Sequence, residues 1–198
     1  MSPTNRGLTL VLASTSAYRR ALLERLKLPF QTASPQVDET PLRDEAPAAT
    51  AERLALDKAQ SLHASFPRAL LIGSDQVAFC ERQRLDKPGH RAGALTQLRY
   101  ASGKSVSFIT AVALFNAGTG RIQRQVVTTD VRFRKLSDAE IQRYIEAEPA
   151  FDCAGSAKAE GLGIALIESI HSTDPTALIG LPLIALAGML RNEGLVIP

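Results

Sequence analysis

Residues 10 to 20, LVLASTSAYRR, join an apolar run to small hydroxyls and then to two adjacent arginines, a combination suited to holding an anion. Leu10, Val11 and Leu12 read as a short buried strand, Ser14 and Ser16 as helix caps, and Ala21, Leu22, Leu23 and Leu26 as the apolar face of the helix that follows. A helix opening there presents unpaired backbone N–H groups and the positive end of its dipole, and Arg19 and Arg20 add fixed charge within one turn. Phosphate is the guest that fits such a site. The competing reading is that a serine merely caps the helix and both arginines are solvated.

A second centre is GSDQ, residues 73 to 76, expected at the end of an apolar strand running from Ala69 to Ile72. Ligands of α/β sheets gather at the carboxyl ends of strands, so Asp75 is placed to hold a metal or activate water; the alternative is a turn aspartate bonded to its own backbone. Lys58, late in a helix, and Lys87, before Pro88 in a loop, are either phosphate-neutralising or solvated. Phosphate hydrolysis needs cations for the leaving group and carboxylates for a divalent metal, and groups of both kinds are present.

These groups need a scaffold, and the hydrophobic pattern supplies one. Phe30 to Ser34 reads as a short strand, and the acidic stretch from Pro35 to Pro47, carrying Asp38, Glu39, Asp44 and Glu45, is the longest irregular connection. Loops of that length in compact domains are more often functional than filler. The alanine-rich pattern from Ala48 to Phe66 predicts a helix ended by Pro67, Ala69 to Ser74 a strand, and Val77 to Cys80 its extended continuation. Arg91 to Tyr100 predicts a further helix, and Ser105 to Phe115 with Arg121 to Arg134 a long hairpin turning through Asn116, Gly118 and Gly120. Ser137 followed by Glu140 is a capping box opening a helix to Ala147, Ile164 to Ile170 reads as a strand, and Ala177 to Leu190 as a buried closing helix. The order is mixed α/β, with no repeat and no linker, so residues 1–198 are expected to form one domain.

Composition excludes several classes. Lys and Arg outnumber Asp and Glu by only 23 to 20 and no run of five like charges occurs, so no stable nucleic-acid complex is expected. Cys80 and Cys153 form no C-x-x-C pair and are expected as reduced core thiols. The apolar stretch from Leu8 to Ala13 is too short for a secretory signal, and Ala177 to Leu190, broken by Gly180, Pro182 and Gly188, is too short to span a membrane. A cytoplasmic location follows as an expectation. ASGKS at 101–105 lacks the earlier glycine of a Walker A loop, GLG at 161–163 is too short for a dinucleotide fingerprint, and no G-x-S-x-G elbow occurs. His63, His90 and His171 show no metal-ligand spacing and read as surface or packing residues.

Taken in order, LASTSAYRR, VDET at 37–40, DKA at 57–59, GSDQV at 73–77, DKP at 86–88, CAGSAKAEG at 153–161 and GLPL at 180–183 resemble the Maf family of nucleotide pyrophosphatases, over nearly the whole chain. The resemblance implies a long twisted mixed β-sheet flanked by helices, in two lobes of one domain with a substrate cleft between them. It implies hydrolysis of a nucleoside triphosphate to the monophosphate and pyrophosphate, assisted by a divalent metal (Mg, Mn or Co). Carried over by position, Asp75 matches the family's proton acceptor, with Glu39 and Asp75 the metal carboxylates, and Ser14, Arg19, Lys58 and Lys87 match its phosphate-binding cleft residues. Tyr18, Gln76 and Glu160 match the specificity positions of the YceF-like branch, which acts on 7-methyl-GTP; the branch acting on dTTP and UTP has arginine, threonine and glutamine there. N7-methylated guanine carries delocalised positive charge, which an aromatic face attracts by roughly 0.5 to 2 kcal/mol and which an acid such as Glu160 opposes.

Two departures stand out: Ala17 replaces a common proline, and Asp86 replaces the usual glycine, setting an acid beside Lys87 that is expected to weaken its hold on phosphate. The small-molecule nucleotide is the expected partner, and a homodimer is implied by likeness alone. Two alternatives accompany the leading reading: a pyrophosphatase for dTTP, UTP or another noncanonical nucleotide, and a nucleotide-sensing regulatory protein without significant turnover.

Overall fold

A computed structural model describes residues 8–198 and has mixed α/β architecture. The strands are β1 (Leu10–Ala13), β2 (Gln31–Ala33), β3 (Leu70–Cys80), β4 (Gln83–Arg84), β5 (Ser105–Asn116), β6 (Arg121–Phe133) and β7 (Ile167–Ser172). The helices are α1 (Ala17–Glu24), α2 (Pro47–Gln60), α3 (Arg91–Ala101), α4 (Asp138–Ala147) and α5 (Leu183–Asn192). Seven strands form a mixed sheet in the order β2-β1-β3-β5-β6-β7, with β4 paired to β3. β1 runs parallel to both β2 and β3, while β6 and β7 are antiparallel. Among the described residues, no helix is long and apolar enough to cross a membrane.

The chain divides into two compact units. The first contains the described residues through Gln76, Thr110–Val127 and Asp174–Pro198; the second contains Val77–Ile109 and Thr128–Thr173. In the first, strand periodicity sorts the core into layers. Leu10, Leu12, Leu70 and Ile72 pack with Leu22 and Leu23 of α1 and Leu186 and Leu190 of α5. Val11, Ala13 and Leu71 point to the other face and pack with Ala59 and Leu62 of α2 and the segment after it. Successive side chains on a strand take opposite faces, so helices cover both sides and the strands read as continuous apolar runs.

The second unit shows the alternation of a strand with one wet face. From Val127 to Phe133, at the unit boundary and beyond, odd-numbered residues are buried and even-numbered ones exposed. The expected capping box opens α4: the Ser137 hydroxyl accepts from the Glu140 amide, and the Glu140 carboxylate accepts from the Ser137 amide at 2.8 Å. Arg99 of α3 grips Asp138 of α4 through two hydrogen bonds, 2.8 and 3.1 Å. Gly155 adopts φ +74 against the Phe108 ring, a left-handed conformation open to glycine.

Several expectations need correction. The strand expected to stop near Ser74 runs unbroken from Leu70 to Cys80, so Asp75 sits inside a strand and not beyond its end or in a turn. The helix expected to reach Phe66 ends at Gln60, after which His63 and Ser65 donate to the third residue before each, tightening the chain into turns before Pro67. The strand expected from Ile164 begins at Ile167, because Leu162–Leu166 forms a 3-10 turn. The closing helix expected from Ala177 starts only at Leu183: Ala177–Ile179 is a 3-10 turn, Gly180 adopts φ +116, and Pro182 precedes the helix. Ser16 caps α1, accepting from the Arg19 amide, whereas Ser14 is buried and instead accepts from the Ser16 amide at 3.1 Å. His63 packs edge-on against Phe115 and His90 caps α3.

At Gly73, β3 and α2 meet backbone to backbone. A Cβ there would collide with the Ala55 carbonyl oxygen and lie 2.7 Å from the Ala59 amide nitrogen. Gly188 in α5 has nothing within 4 Å of the same construction. Gly73→Ala is therefore expected to cost about 1–3 kcal/mol or more by overpacking, whereas Gly188→Ala should stabilise by about 0.5–1 kcal/mol through helix propensity. Urea unfolding of the two variants checks the contrast, and equal midpoints would refute the close-approach account.

Candidate active site

The two faces of β3 carry two different sets of groups. Leu71, Gly73 and Asp75 point toward α2, while Ile72, Ser74 and Gln76 point away from it. Because Gly73 lets α2 lie close, Lys58, near the helix C-terminus, reaches Asp75 from above the strand. Its Nζ donates to Asp75 Oδ1 at 2.6 Å and pairs with Glu39 Oε1 at 2.8 Å. The lysine and aspartate side chains are only 6% and 10% exposed, so this is a nearly dry ion pair, while Glu39 is 62% exposed and reaches in from the surface.

Glu39 is in place because its loop is strapped to α2. Arg53 donates to Glu45 Oε1 at 2.7 Å and Oε2 at 2.8 Å, a two-bond grip of the kind a guanidinium makes on a carboxylate. The same carboxylate accepts from the Leu42 amide and the Thr50 hydroxyl, and Arg53 also reaches the Thr40 carbonyl. The Arg53 hydrogen bonds are the main cause that holds the Glu45 carboxyl down to a pKa of about 2. Neither residue was singled out for a role from the sequence, since a loop acid and a helix arginine eight positions apart carry no local signature.

On the opposite face, Ser74 donates to the carbonyls of Ala111 at 2.7 Å and Gly180 at 2.9 Å. Arg19 places its Nε on the same Gly180 carbonyl, 2.9 Å away. Burial presses the guanidinium pKa downward, and the charges of Asp75 and Glu39 push it back up, so Arg19 lies within the field of both carboxylates. The Gln76 amide nitrogen has three acceptors: Thr110 Oγ1 at 2.8 Å, the Ala177 carbonyl at 3.0 Å and the Leu178 carbonyl at 3.1 Å. That network fixes the orientation of the amide. Tyr18 stands half-buried in the first turn of α1, and Ser14 is buried at the end of the strand before it.

The structure thus gathers Arg19, Glu39, Lys58 and Asp75 in the first unit, with Tyr18 next to Arg19 on α1, Gln76 next to Asp75 on β3, and Ser14 between β1 and α1. Lys87 and Glu160 belong to the second unit. Lys87 is exposed, and the acid expected to compromise it has another partner: Asp86 accepts from Arg84 Nε at 2.7 Å. Glu160 is exposed in a turn pinned to α4, where Glu148 accepts from the Tyr144 hydroxyl at 3.0 Å and the Gly163 amide at 3.1 Å, and the Lys158 amide donates to Tyr144 at 3.0 Å. Both cysteines are free, and burial pushes the Cys153 thiol up to about 12, far from a reactive thiolate.

Among the described residues, no group of three or more His, Cys, Asp or Glu side chains converges as a metal cage. Glu39 and Asp75 do converge on one ammonium, and two carboxylates joined by substrate phosphate oxygens are the usual donor set for a small hard cation. In charge, Arg19 and Lys58 balance Asp75 and Glu39, so the four together have no surplus positive charge for a polyphosphate. The donor chemistry fits a divalent cation.

The family description "Maf-like protein" matches residues 9–193. A protein of Aromatoleum aromaticum named 7-methyl-GTP pyrophosphatase is 58% identical over 189 residues, covering 96% of this chain and 97% of that protein. Proteins with the same name from Cupriavidus metallidurans and Xanthomonas oryzae are 54% and 56% identical, over 93% and 96% of this chain and 93% and 98% of their own lengths. With the match spanning both units and relatives more than half identical along nearly their full length, the chain belongs to the Maf family.

Proposed function

We propose that this protein hydrolyses a modified nucleoside triphosphate, foremost 7-methyl-GTP, to the nucleoside monophosphate and pyrophosphate, in the cytoplasm and with a divalent metal. The observation that carries the chemistry is the nearly dry Lys58–Asp75 pair with Glu39 and Arg19 in its field. The choice of nucleotide rests on the names of the relatives and on Tyr18, Gln76 and Glu160 at the positions where the branches of the family differ. A homodimer belongs to the same reading through likeness alone.

In the mechanism, a water attacks the α-phosphorus, the bond from that phosphorus to the bridging oxygen breaks, and the bond's electron pair leaves with pyrophosphate. Asp75 takes the proton of the attacking water; Lys58 occupies Oδ1, so Oδ2 is the oxygen assigned to receive it. The Lys58 ammonium exchanges a carboxylate partner for a phosphate oxygen as substrate enters, and Arg19, oriented by the Gly180 carbonyl, offers its remaining guanidinium N–H groups to the phosphates. Lys87 adds charge toward the leaving group. A divalent cation held by Glu39 and Asp75 would neutralise phosphate charge and stabilise the charge developing during displacement. Tyr18 and Glu160 select the base, since a cationic methylated guanine gains from an aromatic face and from an acid.

Three outcomes are expected. Asp75→Asn should remain folded by circular dichroism yet lose about 10² to 10⁴ in kcat, the usual worth of a general base; near-normal turnover removes Asp75 from the mechanism. Product analysis should find pyrophosphate and monophosphate, with activity lost on chelation and restored by Mg²⁺, Mn²⁺ or Co²⁺. Orthophosphate and a nucleoside diphosphate would mean the wrong bond has been assigned, and binding without any turnover would favour a sensor. Finally, 7-methyl-GTP should exceed GTP, dTTP and UTP in kcat/KM, and Tyr18→Arg with Glu160→Gln should shift that ratio toward UTP or dTTP by about 10- to 200-fold, the range a few contacts can supply. A wild-type preference for UTP or dTTP sinks the choice of base and leaves the hydrolysis standing.

A further inference from the structure

No side chain of the run DPTALIGLPL, residues 174 to 183, has a role in the mechanism above, yet its backbone carbonyls orient Arg19 and Gln76, both assigned to the site. Asp174 is 2% exposed, and its carboxylate accepts hydrogen bonds from Thr176, Ile184 and Ala185. Oδ1 takes the Thr176 amide at 3.1 Å and the Thr176 hydroxyl at 2.6 Å. Oδ2 takes the Ile184 amide at 2.7 Å and the Ala185 amide at 3.4 Å. The Thr176 hydroxyl in turn accepts from the Leu183 amide at 2.8 Å. Pro182 gives α5 no capping side chain, so a carboxylate from before the turn, with its threonine, satisfies the first helical amides and interacts favourably with the helix dipole.

Between those two anchors the chain makes a short turn whose carbonyls point at functional side chains. The Ala177 carbonyl accepts from Gln76 and Thr110, the Leu178 carbonyl from Gln76, and the Gly180 carbonyl from Arg19 and Ser74. The turn has only 3-10-type bonds of its own and a left-handed residue at Gly180. Its carbonyl directions are held by the hydrogen bonds from Ser74, Gln76 and Thr110 together with the clamp on its two ends, and both ends are clamped by Asp174.

We propose that Asp174 is a positioning residue for phosphate binding: by tying Thr176 to the start of α5 it holds the turn whose Gly180 carbonyl aims the Arg19 guanidinium. The inference rests on the reading above that Arg19 meets phosphate. A residue that merely stabilised α5 would act on folding and be indifferent to Arg19, whereas a positioning residue acts through Arg19 and couples to it.

The test is a mutant cycle on the full chain, titrating inorganic pyrophosphate with Mg²⁺ by calorimetry for wild type, Asp174→Asn, Arg19→Ala and the double variant. Asp174→Asn keeps the shape and replaces an acceptor with a donor facing amides. It should weaken pyrophosphate by about five- to tenfold, with tenfold equivalent to one decade in Kd, and the double variant should bind no more weakly than Arg19→Ala alone. In turnover of 7-methyl-GTP the same substitution should raise KM and spare kcat. Should Asp174→Asn not fold, Thr176→Val cuts the same link and Thr176→Ser restores it, so binding should fall with the first and return with the second. Multiplying effects in the double variant, unchanged binding in a folded Asp174→Asn, or no pyrophosphate binding by wild type would each overturn the inference. A coupled cycle in a wild-type protein that hydrolyses no nucleotide would sink the proposed function and leave the inference standing.

Discussion

The close approach of α2 to β3 at Gly73 is the constraint from which the site follows. A helix normally packs on a sheet through side chains; here the absence of one lets the helix backbone near Ala55 and Ala59 settle against the strand. Lys58 lies between those contacts in sequence and Asp75 lies two residues beyond Gly73 on the same face, so the pair meets without either side chain having to reach far. A larger residue at position 73 would lift the helix and lengthen an ion pair whose value depends on being nearly dry, since the same two charges in water attract only weakly. Removing one partner of a buried pair typically costs about 3–5 kcal/mol, because the other charge is left stranded; here Glu39 is a second acceptor for the same ammonium, which softens that cost and gives Lys58 a partner to exchange.

The strap between Glu45 and Arg53 extends the same logic to the loop. The Glu45 carboxyl is held at about 2 in the folded protein, below its ordinary value, so its contribution is complete above the unfolded value and is lost only as pH falls through the interval down to about 2. Across neutral and mildly acidic conditions the loop carrying Glu39 stays tied to the helix carrying Lys58. Order in that loop thus comes from α2 itself, and the helix that supplies the cation also holds in place the acid that meets it.

The sequence made much of this visible through local pattern. The apolar run before Ser14, the serine–arginine spacing of α1, the Ser137 to Glu140 box and the hairpin through Asn116 and Gly120 depend on neighbours within one element, and they read correctly. The extent of β3 did not, because Gly-Ser-Asp has turn composition; what keeps it extended is parallel pairing with β1 through Leu70 to Ile72 and the close cover of α2, both distant in sequence. Gly180 and Pro182 read in the sequence as interruptions of an apolar stretch and as part of the GLPL motif, but not as what they are structurally, the end of one turn and the beginning of α5. Asp174 left no trace, since its partners become neighbours only after the turn has formed. Residues grouped by family motif were readable as a set, but which of them share a unit was not.

The strict two-sidedness of β3 has a consequence for folding fidelity. A slip of one residue would turn Asp75 away from Lys58 and toward the carbonyl oxygens of Ala177 and Gly180, which Ser74 and Gln76 would no longer reach, and would drive Ile72 or Ser74 into the backbone of α2. Apolar strands alone tolerate such slips poorly but without sharp discrimination, because Leu, Ile and Val serve either face. Here the groups assigned to chemistry also act as a proofreading code: only one register satisfies the acid, the hydroxyl, the amide and the glycine together, so a misaligned chain is penalised at the site before it could be presented to a substrate.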